Sequence, residues 1–246
     1  MPAVSIARGK PADYGQLIVK RRFELTANLV DLSGKNILDF GCGNGAQTVE
    51  FAGSGCQISA LDIDAGDLEI FNRYLTEHNI STISTSEYDG RYLPFADARF
   101  DIVVSYEVLE HVRDENQTLQ EIYRTLKPGG KIVFSVPNKG WVFETHGAHL
   151  PFLPWNRIPF FSWLPHFVHK RFAKARIYRK KDIVKLLINN GFVIQSVQYI
   201  TAPMDVVKNQ RVQSFLRTYI FKNNSTMFSI LATAILIHAK KPDQEN

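Results

Sequence analysis

Apolar and polar positions keep two different rhythms along this chain. Over residues 12–32, Tyr14, Leu17, Ile18, Phe23, Leu25, Leu29 and Val30 recur at roughly helical spacing and predict a helix. Its Lys20-Arg21-Arg22 run reads as a solvated face. After it come short apolar runs closed by acid, glycine or proline, at 36–40, 57–62, 82–87, 100–105 and 131–136; these predict strands. Helical patterns lie between them at 46–52, 67–78 and 115–126. A helix over 179–190 ended by Gly191, a sixth strand at 192–200, a helical stretch at 204–221 and a last strand ending near Ala239 complete the series. Strands alternating with helices predict an α/β fold with a mostly parallel sheet.

Composition changes this picture little. A length of 246 residues suits one domain, or one domain with an insertion, and the net charge of +5 is mild. Two cysteines, Cys42 and Cys56, make no disulfide framework or metal pattern and suit a reduced, cytoplasmic setting. No secretory signal is read in the first fifteen residues, and the longest apolar run, 227–237, is too short to cross a bilayer.

The informative stretch is Asn36-Ile37-Leu38-Asp39-Phe40-Gly41-Cys42-Gly43-Asn44-Gly45. A strand rising into a glycine turn brings backbone close to a nucleotide-like ligand, because glycine has no Cβ to hold the ligand off. The spacing is neither G-x-G-x-x-G nor the P-loop. Asp39, two residues before Gly41, is placed to take a cationic amine. Asp62 closes the second strand 23 positions after Asp39, where a carboxylate meets ribose hydroxyls, whereas Asp64 suits a helix N-cap. Downstream stand LPFADARFDIVVSYEVLEHV and EIYRTLKPGGKIVFSVPN.

In that order, these motifs resemble the class I S-adenosylmethionine (SAM)-dependent methyltransferases, and within them the small-molecule group that includes the ubiquinone and menaquinone enzymes. The resemblance covers about residues 35–138. It implies a Rossmann-like, three-layer fold with seven strands, the last antiparallel. It also makes the first helix a lid over the ligand, the alternative to a solvated face for Lys20-Arg21-Arg22. It implies SAM as cofactor, held around Asp39, Gly41, Cys42, Gly43, Gly45, Asp62, Ile63, Asp89, Gly90 and Tyr106, with Asp89 on the adenine amino group. The bland reading of Asp89-Gly90 is an ordinary turn.

A second task, deprotonating an acceptor, falls to Glu107, Glu110 and His111, which at i, i+3 and i+4 would share a helical face. They would bind magnesium, as the matching residues of the ubiquinone enzymes have been assigned to do, or His111 would act alone, or all three would only shape the pocket. The Asn/Asp-Pro-Pro-Tyr/Phe motif of amino-directed methyltransferases is missing after the fourth strand, which makes nucleic acid an unfavoured partner.

Residues 139–178 form an insertion after the fifth strand that holds Trp141, Trp155, Trp163 and several phenylalanines; from Leu150 to Lys181 stand eight Lys/Arg and no acid. It reads as a buried lid, as an interfacial patch for anionic membrane carrying Arg157, Lys170, Arg171, Lys174 and Arg176, or as a surface for RNA. His146 and His149 at its start are further candidate bases. The expected whole is one domain: lid helix 12–32, SAM core 35–138, insertion 139–178 and closing elements 179–240. It would methylate an oxygen or carbon of a small apolar, quinone- or lipid-like acceptor, in the cytoplasm or at a membrane surface. The rivals are an enzyme on a soluble metabolite and a SAM-binding protein without turnover. Oligomeric state is not legible.

Overall fold

The computed structural model describes residues 17–143, 159–205 and 207–243. Among them, eight strands form one sheet: β1 (Asn36–Phe40), β2 (Gln57–Asp62), β3 (Ile83–Glu87), β4 (Phe100–Tyr106), β5 (Leu126–Pro137), β6 (Val193–Thr201), β7 (Ser225–Thr226) and β8 (Ala232–Lys240). Their order is β3-β2-β1-β4-β5-β8-β6-β7. The β3-to-β5 half is parallel, and β8 runs antiparallel between β5 and β6. The antiparallel last strand stands as expected. The count of seven gains one: two-residue β7 pairs with the edge of β6.

The helices are α1 (Leu17–Leu29), α2 (Ala65–Glu77), α3 (Glu115–Thr125), α4 (His166–Phe172), α5 (Lys180–Asn189) and α6 (Gln210–Tyr219). Strand residues alternate between two cores. Ile37, Ile58, Ile102 and Val104 pack with Ile18, Leu25, Phe71 and Leu75 of α1 and α2. Leu38, Phe40, Val103 and Phe134 pack with Leu119, Ile122, Ile183 and Leu187 of α3 and α5. The result is three layers, helices on both faces of the sheet. Asp64, Asp114 and Asn209 cap α2, α3 and α6, each side chain accepting from two first-turn amides.

Three expectations change. The helix over 46–52 is only a 3-10 turn, Thr48–Phe51: Gln47 gives no side-chain cap and Gly53 follows almost at once. Lys127-Pro128-Gly129-Gly130 does not end before β5 but is carried into it, with the β4–β5 register shifting between Phe100 and Ile102. Of the Lys20-Arg21-Arg22 run only Lys20 is solvated. Arg21 is 2% exposed and donates to the carbonyls of Thr201 (2.8 Å) and Ala202 (2.9 Å) and to that of Phe221. Arg21 lies on the Ile18–Leu25 stripe, so its head is carried inward with the apolar residues, and the β6 end supplies acceptors.

Candidate active site

The glycine turn sits at the carboxyl end of β1. The amides of Gly41 and Cys42 donate to the Leu61 carbonyl at 2.8 and 3.0 Å, which ties the turn to β2. A Cβ at Gly45 would lie 2.2 Å from the Phe71 ring, and the backbone there has φ +80°, so packing and dihedral both demand glycine. Gly43 differs: a Cβ there would meet Asp67 Oδ2 at 3.7 Å, an ordinary contact. Its backbone, at φ +51°, calls for glycine too, but no protein atom crowds the place of a Cβ.

Asp62 faces this turn. Its Oδ2 accepts from the Gly43 amide (2.7 Å), and its Oδ1 from the Ile63 (2.7 Å) and Asp64 (3.0 Å) amides. Ile63 is well exposed, and its Cγ2 lies 3.8 Å from where a Cβ on Gly90 would be. Asp89 is exposed, and its Oδ1 accepts from the amides of Arg91 (2.8 Å) and Tyr92 (3.0 Å). The Tyr92 and Arg91 amides hold its carboxyl below the usual range. One oxygen of Asp89 therefore builds the turn, the bland role. A carboxylate, an exposed aliphatic residue and an open glycine are what an adenosine portion would need, so the residues fit SAM.

Asp39 and Cys42 lie deeper. The Asp39 carboxyl is buried, accepts from the Thr48 hydroxyl at 2.7 Å and is pushed up to about 7 by burial. With 2% exposure it faces Thr48 and the turn above it, not open cleft. Burial, with Asp39 next, also pushes the Cys42 thiol well up, and the sulfur is 3.5 Å from the Gly43 carbonyl. At the end of β4, the Tyr106 hydroxyl pairs with that of Thr26 in α1 at 2.7 Å, and the Arg22 guanidinium stands 5.9 Å from the Tyr106 ring centroid. Burial raises the phenol above its ordinary range.

The three candidates for proton or metal chemistry do not share a helical face. Glu107 has φ +59°, the chain turns through 109–113, and α3 begins only at Glu115 behind the Asp114 cap. Glu107 accepts from the Ser135 hydroxyl (3.0 Å) and lies 3.4 Å from Arg22. Glu110 is buried, 3.9 Å from His111 Nε2, while His111 is half exposed. Among the described residues, no group of three or more His, Cys, Asp or Glu could hold a metal ion. Nothing in this geometry supports the magnesium reading: Glu107 is engaged by Ser135 and Arg22.

His111 and Glu110 open onto a crevice of about 980 Å³ that runs past Trp163, Leu164 and Pro165 to Arg176 and Arg179. His169, buried and packed on Phe161, also lines it. Within the insertion, Trp141 and Phe161 are buried, whereas Phe143, Phe160, Trp163 and Phe167 are exposed. His146, His149, Trp155 and Arg157 fall outside the described residues. Sequence reasoning missed Thr26, which reaches Tyr106, and gave Arg22, which reaches Glu107, only a place in a solvated or lid run. Their i, i+4 spacing was a usable signal that they share a face.

Residues 38–134 match the family described as Methyltransferase domain. A ubiquinone biosynthesis O-methyltransferase of Pseudomonas savastanoi pv. phaseolicola is 29% identical over 168 residues, 65% of this chain and 71% of the relative. Among solved structures, a SAM-dependent methyltransferase from Mesorhizobium loti aligns at TM-score 0.61 with 19% identity, covering 89% of this chain and 96% of its own. Phosphoethanolamine N-methyltransferase 2 of Haemonchus contortus, solved with SAM, aligns at TM-score 0.59 with 18% identity, covering 91% and 52%. The structural likenesses establish the fold. The domain match and the relatives make this chain similar to the SAM-dependent methyltransferases. Among them its sequence likeness is to the ubiquinone-biosynthesis group.

Proposed function

We propose that this enzyme transfers a methyl group from SAM to an oxygen or carbon of a small apolar acceptor of quinone-like or lipid-like character. The observation that carries the reading is the crevice of about 980 Å³, which begins at Glu110 and His111 just past the end of β4 and is lined by Trp163, Leu164 and Pro165 together with Lys139, Arg176 and Arg179. It is large enough for a small aromatic or prenyl-like molecule. The kinship with a ubiquinone O-methyltransferase supports the same class of acceptor.

In this reading Asp62 receives the ribose hydroxyls, Ile63 and the Asp89-Gly90 turn receive the adenine, and Gly41, Gly43 and Gly45 carry backbone to the rest of the cofactor. SAM, when bound, supplies a methyl that is already electrophilic. The protein's work is to hold the acceptor in line and exclude water. His111, exposed at the crevice mouth beside buried Glu110, takes the acceptor proton, with His146 and His149 as the other candidates. Arg22 and Thr26 hold α1 across Glu107 and Tyr106 and keep that end dry. The chain works as one catalytic domain.

A second observation favours work at a membrane surface. Val212, Phe215 and Tyr219 lie on one side of α6 and are all exposed, as are Met227, Phe228 and Ile230 nearby in sequence. Leu216 and Leu231 pack against Trp141 and Phe221, so this exposed row adjoins the root of the insertion. Among the described residues, no helix is long and apolar enough to cross a membrane.

The test is incubation with methyl-labelled SAM and a cell extract, followed by separation of organic, aqueous and macromolecular fractions. Label in the organic phase is expected. Aqueous label would assign a soluble metabolite, and label on RNA or protein would overturn the acceptor class. Asp62→Ala should weaken SAM binding at least about tenfold in a titration, the scale of a lost charge-assisted pair. SAM binding with no labelled product in any fraction would favour the non-catalytic reading.

A further inference from the structure

A second cavity, of about 530 Å³, lies between the end of β5 and the start of α5. Lys139, Arg179, Lys180 and Lys181 line it with Trp163 and Ser229, and no carboxylate is among its lining residues. We propose that this cavity is an anion subsite that holds a phosphate group of the acceptor. The inference deepens the methyl-transfer reading and rests on it for the acceptor's role, though not for the binding itself.

The frame of the cavity is rigid. Buried Asn138 donates to the carbonyls of Ser229 and Ala232, each at 2.8 Å, and accepts from the Gly140 amide at 2.9 Å. The Lys139 amide donates to the Tyr178 carbonyl at 2.9 Å. Lys139 is thus held on a fixed turn, and its ammonium lies 3.4 Å from the neutral carbonyl of Leu164. Lys180 reaches the Val197 carbonyl at 3.2 Å and stands 6.0 Å from the Tyr199 ring. These contacts orient the ammonium groups without neutralising them.

Gathering cations in this way has a cost that an anion would relieve. Burial first, and Arg179 second, make it harder for Lys139 to keep its proton, with Asp182 offsetting part of the effect. The ten-residue helix α5 begins beside the cavity with no side-chain cap, so its first turn adds positive potential that Asp182 of the same turn offsets in part. Several cations around one small space suit a phosphate dianion better than a single carboxylate. Arginine offers a fork of donors, and lysine a point charge.

Geometry joins this subsite to the chemistry. Lys139, Trp163 and Arg179 also line the larger crevice that begins at His111. An acceptor seated with its phosphate at Lys139 and Arg179 would lie along Trp163 and present its other end toward His111. The acceptor class becomes a phosphorylated amphiphile, either a soluble phosphate ester or a phospholipid headgroup.

The whole protein is titrated with phenyl phosphate and with phenol, by calorimetry and by tryptophan fluorescence. Vesicles of phosphatidylcholine with and without phosphatidic acid form a second arm. Phenyl phosphate or the phosphatidic acid vesicles should bind, phenol should not, and Lys139→Gln and Arg179→Gln should each weaken binding by about tenfold. Lys185→Gln, an equal charge change further along α5, should leave it unaltered, and SAM affinity should be unchanged in all three variants. Binding of the ester alone assigns a soluble source; binding of the vesicles alone, or of both, assigns a headgroup. Binding of neither probe overturns the proposal, as does an effect of Lys139→Gln no larger than that of Lys185→Gln. Intact SAM binding in those cases leaves methyl transfer standing, and lost SAM binding in the native chain would instead sink that reading.

Discussion

The two halves of the sheet are built on different terms. From β3 to β4 the strands are parallel, and the end that carries the glycine turn is made of backbone: amides of Gly41 and Cys42 on the Leu61 carbonyl, and of Gly43, Ile63 and Asp64 on the Asp62 carboxylate. From β5 to β7 the strands pair antiparallel, and the end of the sheet is made of side chains: Arg21 on three carbonyls, Asn138 on two, Trp141 on Phe221. A cofactor common to many enzymes calls for one fixed shape, and close-packed backbone gives it. Acceptors differ, and side chains hung on a fixed sheet can be changed singly.

That contrast can be broken at its tightest point. Gly45→Ala must fit a Cβ against Phe71 at a left-handed dihedral and should cost about 4 kcal/mol by urea unfolding, the sum of overpacking and backbone strain. Gly34→Ala has φ +68° with nothing within 4 Å and should cost about 1 kcal/mol. Equal costs would show that the glycine turn is not close-packed after all.

Arg21→Met probes the bond between the halves. Three carbonyls lose a charged donor, so a loss of about 3 kcal/mol is expected. Hydrogen exchange should quicken both in α1 and at the Thr201 end of β6. Quickening in α1 alone would mean that the halves stand independently.

Asp39→Asn should act more gently and with a sign of its own. Burial raises the folded carboxyl to about 7, above its unfolded value, so the folded state holds the proton more tightly. The stability this lends is complete at low pH, below the unfolded value, and drains away as pH rises through about 7. The asparagine variant lacks that slope, so relative to the native chain it should gain about 2 kcal/mol between pH 5 and pH 8. Parallel stability curves for the two proteins would show that Asp39 is ionised throughout.

What was legible in the chain follows the same division. Gly41, Gly43, Gly45 and Asp62 could be read because a tight turn beside a strand end restricts residue type over a few neighbouring positions. The N-cap at Asp64 was legible for the same local reason. Arg21 was misread because its acceptors lie 180 to 200 positions away, where no spacing rule reaches. Glu107, Glu110 and His111 were given a helix by their spacing, yet the positive φ at Glu107 and the cap at Asp114 delay α3 to Glu115. The helical stretch at 204–221 was legible as α6, but apolar spacing cannot say whether anything covers Val212, Phe215 and Tyr219, which stand exposed.

Arg21 also sets an order of events in time. Its acceptors, at Thr201, Ala202 and Phe221, are made some two hundred residues after the helix that carries it. On a ribosome adding about 5–20 residues each second, the Arg21 guanidinium must wait roughly 10–40 s for them. The apolar stripe of Ile18, Val19 and Leu25 has partners much sooner, in Ile37, Ile58, Phe71 and Ile102. A newborn chain can therefore seat α1 on the first strands while a guanidinium stays without its carbonyls until β6 arrives.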